Sequence, residues 1–197
     1  MVLLKFEVPY GATPLDPNEL EGLIPWLSTQ AELNEFEALN IFDGLDWAER
    51  SHRMRSGLLE TGALELLHKR MFDRTWRWAG KYRTTQKSIG VESYRISSEL
   101  HGLRENTKLW IQQETYSPDE IGARFHHRLV WIHPFANGNG RHARLATDLL
   151  LRRQRWDSFT WGSRDLGPMS EVRQNYIQAL RAADAHDFGP LLAFVRR

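Results

Sequence analysis

The stretch that most constrains this chain is His133-Pro134-Phe135-Ala136-Asn137-Gly138-Asn139-Gly140-Arg141-His142-Ala143-Arg144. A residue before proline avoids right-handed helical angles, so the helical pattern arriving from upstream must stop near His133. Gly138 and Gly140 can take backbone angles denied to other residues and leave no side chain in the way. Their N–H groups can approach an anion closely, at the start of a second helix that Arg141 opens, where the dipole is positive. Arg141 and Arg144 stand three residues apart, so both project from one side of its first turn. These residues describe a potential base beside a polyphosphate cradle.

The flanks read as helices. Ser117-Pro118-Asp119-Glu120 supplies a serine cap, a proline at the first helical position and a glutamate three residues after the cap. Ile121, Phe125, Leu129 and Ile132 follow at helical spacing, and Ala143, Ala146, Leu149 and Leu150 supply the packed face after the glycine turn. Upstream, Ser28 or Thr29 caps a helix through residues 31–49, which Gly44 is placed to interrupt, with Leu33, Phe36, Leu39–Asn40 and Ile41 giving a loose helical period. A further helix is expected from Thr61 to about Trp78, and another from Ser97 or Ser98 to about Gln113. Between these two, residues 81–85 and 91–96 lean towards strand on either side of Lys87-Ser88-Ile89-Gly90, which predicts a small β-hairpin. Helical patterns from Ser170 to Ala185 and from Pro190 to Val195 close the chain. The fold class is all-α, with about six to eight helices. Residues 1–27, rich in proline, form an irregular arm, and residues 28–197 form the domain.

At 197 residues the chain is long enough to bury a core as one domain. Its 26 basic and 25 acidic side chains leave a net charge of +1, so any anion site must be local and direct nucleic-acid binding is not expected. There is no cysteine, which excludes disulfides, thiolate catalysis and cysteine-ligated zinc. The spacing of His126, His127, His133 and His142 matches no known zinc pattern. No apolar run approaches the roughly 20 residues that span a bilayer, and the start MVLLKFEVPYG has no basic n-region or long apolar core. A cytoplasmic location is expected.

The run HPFANGNGRHAR resembles the signature of the Fic family, HPFx(D/E)GNGRxxR, at every position but one. Upstream, MFDRTWRWAGKYRTTQKSIGV resembles the segment leading into the flap beside the Fic active site, and YIQALRAADAHDFGPLLAF is similar to the closing helices of many members. The opening TPLDPNELEGLIPWLSTQAELNEFEALNI resembles the branch called mobile mystery protein B. The resemblance implies transfer of AMP from Mg-ATP to a hydroxyl of a target protein. His133 would take the proton of the attacking hydroxyl, a role that suits an imidazole near neutral pH. Phe135 would anchor the loop. Gly138, Asn139 and Gly140 would hold the inner phosphates, and Arg141 and Arg144 the outer ones. Lys87, Ser88, Ile89, Gly90 and Val91 would form the flap that holds the target segment as an added strand. Branch resemblance also implies a helix-turn-helix partner protein.

The departing position is Asn137, where the family usually places the Asp or Glu that binds Mg²⁺. An amide oxygen is a poorer ligand for a hard cation than a carboxylate. Slow AMP transfer, a different donor or binding without turnover therefore stay open. A Doc-like protein kinase shares the fold, but Doc-like motifs typically lose the second glycine, which Gly140 supplies. Many Fic proteins also carry an inhibitory helix with the pattern (S/T)xxxE(G/N). Ser28 to Glu32 gives its first five positions, but Leu33 stands where Gly or Asn is usual. Two readings of residues 28–45 stand: an inhibitory helix acting through Ser28 and Glu32, or an ordinary capped surface helix.

Overall fold

The helix that ends at Ile132, just before His133 and Pro134, and the helix that begins after Gly138 form the spine of the molecule. The computed structural model describes residues 16–162 and 171–197. Among them are nine α-helices: α1 (Pro17–Leu20), α2 (Gln30–Arg50), α3 (His52–Gly57), α4 (Ala63–Phe72), α5 (Ile96–Gln112), α6 (Pro118–Ile132), α7 (Asn139–Gln154), α8 (Glu171–Asp184) and α9 (Gly189–Val195). The all-α expectation holds. Helix α6 packs against α5 and α7, and α2 lies along α4. Leu64, Leu67 and Met71 of α4, Leu100 of α5, Phe125 and Leu129 of α6 and Leu150 of α7 meet in the main core. Helices α8 and α9 close a second apolar cluster over Ala123, Leu151, Phe159 and Trp161.

Local chemistry explains the boundaries that matter. Ser117 Oγ accepts from the Glu120 N–H at the start of α6, and Pro118 sits at its first position. Thr29 caps α2, with Glu32 three residues on bonding back to it. Gly138 opens α7 in the left-handed region at φ 77°, where a side chain is strained.

Four expectations change. Gly44 does not interrupt α2; it lies where α2 meets α4, and a Cβ there would sit 2.8 Å from the Arg70 carbonyl oxygen. Leu39, expected on the inner face of α2, is exposed; Leu33 and Asn40 of the expected set are buried, and Glu37, Gly44 and Ala48 join them. The helix expected from Thr61 to Trp78 is shorter and ends at Phe72. Trp76 beyond it is buried in a turn, where its indole N–H donates to Glu37 Oε1 at 2.7 Å.

The fourth is the hairpin. Residues 81–92 contain no strand. The reason is that this segment bonds to the chain around His133 rather than to itself. The Arg83 N–H donates to the Pro134 carbonyl at 2.9 Å and the Val91 N–H to the Ile132 carbonyl at 3.4 Å. The Arg83 guanidinium reaches the carbonyls of Thr85, Val91 and His133. The segment is an irregular flap sewn to the motif at both ends. The start of the closing helix expected at Ser170, and residues 1–15 of the arm, lie outside the described residues.

Candidate active site

Helix α6 delivers His133 as its C-terminal cap, in the left-handed region at φ 52° and ψ 59°. A bulky residue there is uncommon and persists where its surroundings over-determine it. Here they do. The carbonyl of His133 accepts from Arg83 Nε at 2.7 Å, and Pro134 follows. Gly90 of the flap is pressed so close that a Cβ on it would lie 2.6 Å from the Cβ of His133. Burial pushes the imidazole down to about 4, Arg83 and Lys87 add to that, and the Val130 carbonyl opposes it. The neutral ring keeps one nitrogen as an acceptor, which is the form a general base needs.

The loop between the two helices is locked from three sides. Phe135 is fully buried and stacks on His68 with ring centroids 3.7 Å apart. The Asn139 side chain accepts from the Phe135 N–H at 2.9 Å and donates to the Phe135 carbonyl at 2.8 Å. Asn139 thus serves the loop with its side chain and can offer a phosphate only its N–H. His68 accepts from the Gly80 N–H at Nδ1, 3.0 Å away, so its proton is on Nε2, which donates to the Asn137 carbonyl at 3.0 Å. Burial holds His68 neutral, well below the usual histidine range.

Beyond the loop, the first turn of α7 carries no side-chain cap, so its N–H groups face outward at the positive end of the helix. Gly140 opens on free space: the nearest atom to a Cβ added there would be Arg144 Nη1, 3.9 Å away. The Arg144 guanidinium lies over the Tyr176 ring at 5.7 Å. Arg141 is held differently, with Nη1 2.7 Å from Glu37 Oε2 and its guanidinium over the Phe72 ring. Gly138 is packed on Phe72, where a Cβ would lie 2.5 Å from Cζ.

The structure brings His133, Gly138, Asn139, Gly140, Arg141 and Arg144 to one place and sets the flap beside them. Within the flap, Ser88 and Ile89 face outward, Lys87 and Gly90 are half-buried, and Val91 belongs to the core. Glu32 does not lead into the site: its carboxylate accepts from the Ser28 and Thr29 N–H groups and caps its own helix. Ser28 is there as a backbone donor. The carboxylate that reaches a motif arginine is Glu37, one turn further along α2.

Sequence reasoning missed Glu37, His68 and Arg83. His68 and Glu37 carried a signal, since each stands on the buried face of its helix, where a polar residue needs a partner. Arg83 carried none.

A magnesium site is not built into these residues. Among the described residues no group of three or more His, Asp or Glu could hold a metal ion. Asn137 Oδ1 accepts from the Gly138 N–H at 2.6 Å, so the amide oxygen at the family's metal position has one neutral lone pair left to offer a cation.

The geometry now meets its relatives. A family model described as "Fic/DOC family" matches residues 58–151, which hold α4 to α7, the flap and the whole glycine loop. Residues 58–151 form a Fic/DOC family domain. It is 27% identical to a "Protein adenylyltransferase Fic" of Nematostella vectensis over 84% of its own length and 38% of that protein. It is 31% identical to a "Protein adenylyltransferase fic-1" of Caenorhabditis elegans over 60% of its own length and 23% of that protein. The chain thus spans well under half the length of these curated relatives. Among solved structures it superposes on Fic-1 of C. elegans with a TM-score of 0.63 and 26% identity, covering 91% of this chain and 52% of that one. A Fic domain-containing protein of Bacteroides thetaiotaomicron gives a TM-score of 0.68 at 19% identity, with 87% and 71% covered, which is a likeness of fold.

Proposed function

We propose that this chain is a protein adenylyltransferase that moves AMP from ATP to a hydroxyl side chain of a target protein. One observation carries the reading: a neutral, buried His133 sits between the flap and an uncapped helix N-terminus overhung by Arg144. The N–H groups of the α7 first turn bind the inner phosphates and stabilise charge as it develops at the α-phosphorus. Arg141 and Arg144 bind the outer phosphates, Arg144 by its place over Gly140. Ser88, Ile89 and the Gly90 backbone hold the target segment so that its hydroxyl faces the α-phosphorus. The acceptor oxygen bonds to that phosphorus and passes its proton to His133, while the bond to the bridging oxygen breaks and pyrophosphate leaves. His133 is a weak base in the empty site. The negative charge of bound phosphates raises its affinity for the proton as transfer proceeds.

A magnesium ion would be held chiefly by phosphate oxygens and water, with Asn137 as one neutral ligand, and would shield the polyphosphate charge. The closed contact between Asn137 and the Gly138 N–H favours a second reading, a nucleotide-binding module without turnover. The target protein, and the helix-turn-helix partner that the branch resemblance suggests, belong to the same proposal.

ATP labelled at the α- or the γ-phosphate separates the readings. Transfer of α-label to protein is the expected outcome. Transfer of γ-label would indicate a kinase, and neither label the binding module.

A further inference from the structure

We infer that Glu19, on the short helix α1 and outside the family-matched segment, is a positioning residue that sets the flap for the target protein. This rests on the proposed AMP transfer. Glu19 is nearly buried, and both of its carboxylate oxygens serve the flap. Oε1 accepts from the Thr85 hydroxyl at 2.7 Å, and Oε2 pairs with the Lys87 ammonium, whose side chain is 5% exposed. Oε2 also accepts from the Asp16 N–H at 2.8 Å, which fixes the carboxylate within its own helix.

The arm that carries Glu19 is itself pinned. Its carbonyl accepts from the Trp78 indole N–H at 2.9 Å. Gly22 lies against that ring, with no space for a Cβ, and its carbonyl accepts from the Arg77 N–H at 2.8 Å. Ile24 N–H donates to the Thr75 carbonyl at 2.9 Å, and Leu23 pairs with Trp76. Residues 19–24 therefore form a strap fastened to the turn after α4, and one carboxylate reaches from it into the flap.

The flap has no strand pairing of its own to hold its middle. Arg83 ties its two ends to the His133 chain. Glu19 draws Thr85 and Lys87 inward between those ends, and this leaves Ser88 and Ile89 facing out beside His133. Neutralising the Glu19 carboxylate removes the buried ion pair that draws the Lys87 ammonium inward, and the segment loosens there. Among the described residues Glu19 bonds to neither the α7 first turn nor the motif arginines, so it acts on acceptor binding and not on nucleotide binding.

The test compares the full chain with Glu19→Gln, which removes the charge, and with Thr85→Val, which leaves the α1 cap intact. Three readings are taken: tryptic cleavage after Lys87, affinity for α,β-methylene-ATP, and α-label transfer from ATP to a pooled library of extended peptides, each with one Ser, Thr or Tyr. Glu19→Gln is expected to speed cleavage after Lys87 and to raise the half-saturating peptide concentration, each about tenfold, with nucleotide affinity within about twofold. Thr85→Val moves the same two readings by less. Unchanged cleavage and peptide saturation, or a parallel loss of nucleotide affinity, overturns the inference. If the wild type transfers no α-label, the proposed function fails by itself, and cleavage after Lys87 in the two variants decides the strap. If Glu19→Gln does not fold, as judged by circular dichroism, Thr85→Val decides it.

Discussion

At the scale of single residues, His133 and Asn137 divide the chemistry between them. His133 supplies a base whose neutral form is held by burial, and its value of about 4 sets a pH expectation. Catalysis needs the neutral ring, so kcat/KM for ATP stays level as pH falls through 6.5 and declines only below about 5, as protonation of the free enzyme begins. A decline centred near 6.5 would mean that the base is exposed or is another group. Asn137 explains a different limit. Its Oδ1 already accepts from the Gly138 N–H and keeps one neutral lone pair for a cation, and its other terminal atom is an NH₂ donor that cannot bind one. Asn137→Asp keeps an acceptor for that N–H and adds a second, charged oxygen. We expect it to raise α-label transfer at limiting Mg²⁺ about tenfold, roughly one charge-assisted contact. An Asn137→Asp chain no faster than the wild type would remove the metal argument.

At the scale of elements, close approach governs the fold. Helices α2 and α4 meet at Gly44, where an added Cβ would strike backbone atoms of Arg70 and Met71 at 2.8 to 2.9 Å. Backbone cannot yield cheaply, so Gly44→Ala should cost about 1–3 kcal/mol in urea unfolding, although alanine is the better helix former. A gain in stability would show that the two helices slide apart freely. The elements legible in the sequence were those with a local cause. Ser117 and Pro118 announced α6, Pro134 ended it, and the glycine loop opened α7. The flap was misread as a hairpin because its β-leaning residues signal extended backbone, not what that backbone pairs with. The bonds from Arg83 to the His133 chain cross 50 residues and leave no local trace. The buried face of α2 was read only in part, for a related reason. It presents Glu37, Asn40 and Gly44, whose value comes from Trp76, Arg70 and Arg141 opposite. The Glu32 pattern was legible, and the capped-helix reading matches the bonds it makes.

At the scale of the molecule, the core carries an unusual load of neutral histidine. Burial holds His126 at about 3, His133 and His142 at about 4, and His68 well below the usual histidine range. Each has a folded value below its unfolded one, so the unfolded chain binds more protons as pH falls. Their stabilisation is complete above 6.5 and is lost as pH drops towards about 4. Asp148, raised to about 6 mainly by burial, works in the opposite direction, one group against five once His127, also lowered by burial, is counted. Stability should therefore fall by several kcal/mol, on the order of 1 for each histidine, between pH 7 and 5. Urea midpoints that do not change over that range would contradict this. His133 and His68 belong to both the fold and the site, so the same burial that makes the chain acid-labile keeps its base unprotonated at neutral pH. That base is the centre of the account. The most direct test sets wild type beside His133→Ala in α-label transfer from ATP to protein, with α,β-methylene-ATP affinity measured in parallel. The account predicts labelling by the wild type, a loss of about 10²–10⁴-fold in the variant, and nucleotide affinity preserved. Equal labelling by both chains, or loss of nucleotide binding with the imidazole, would contradict it.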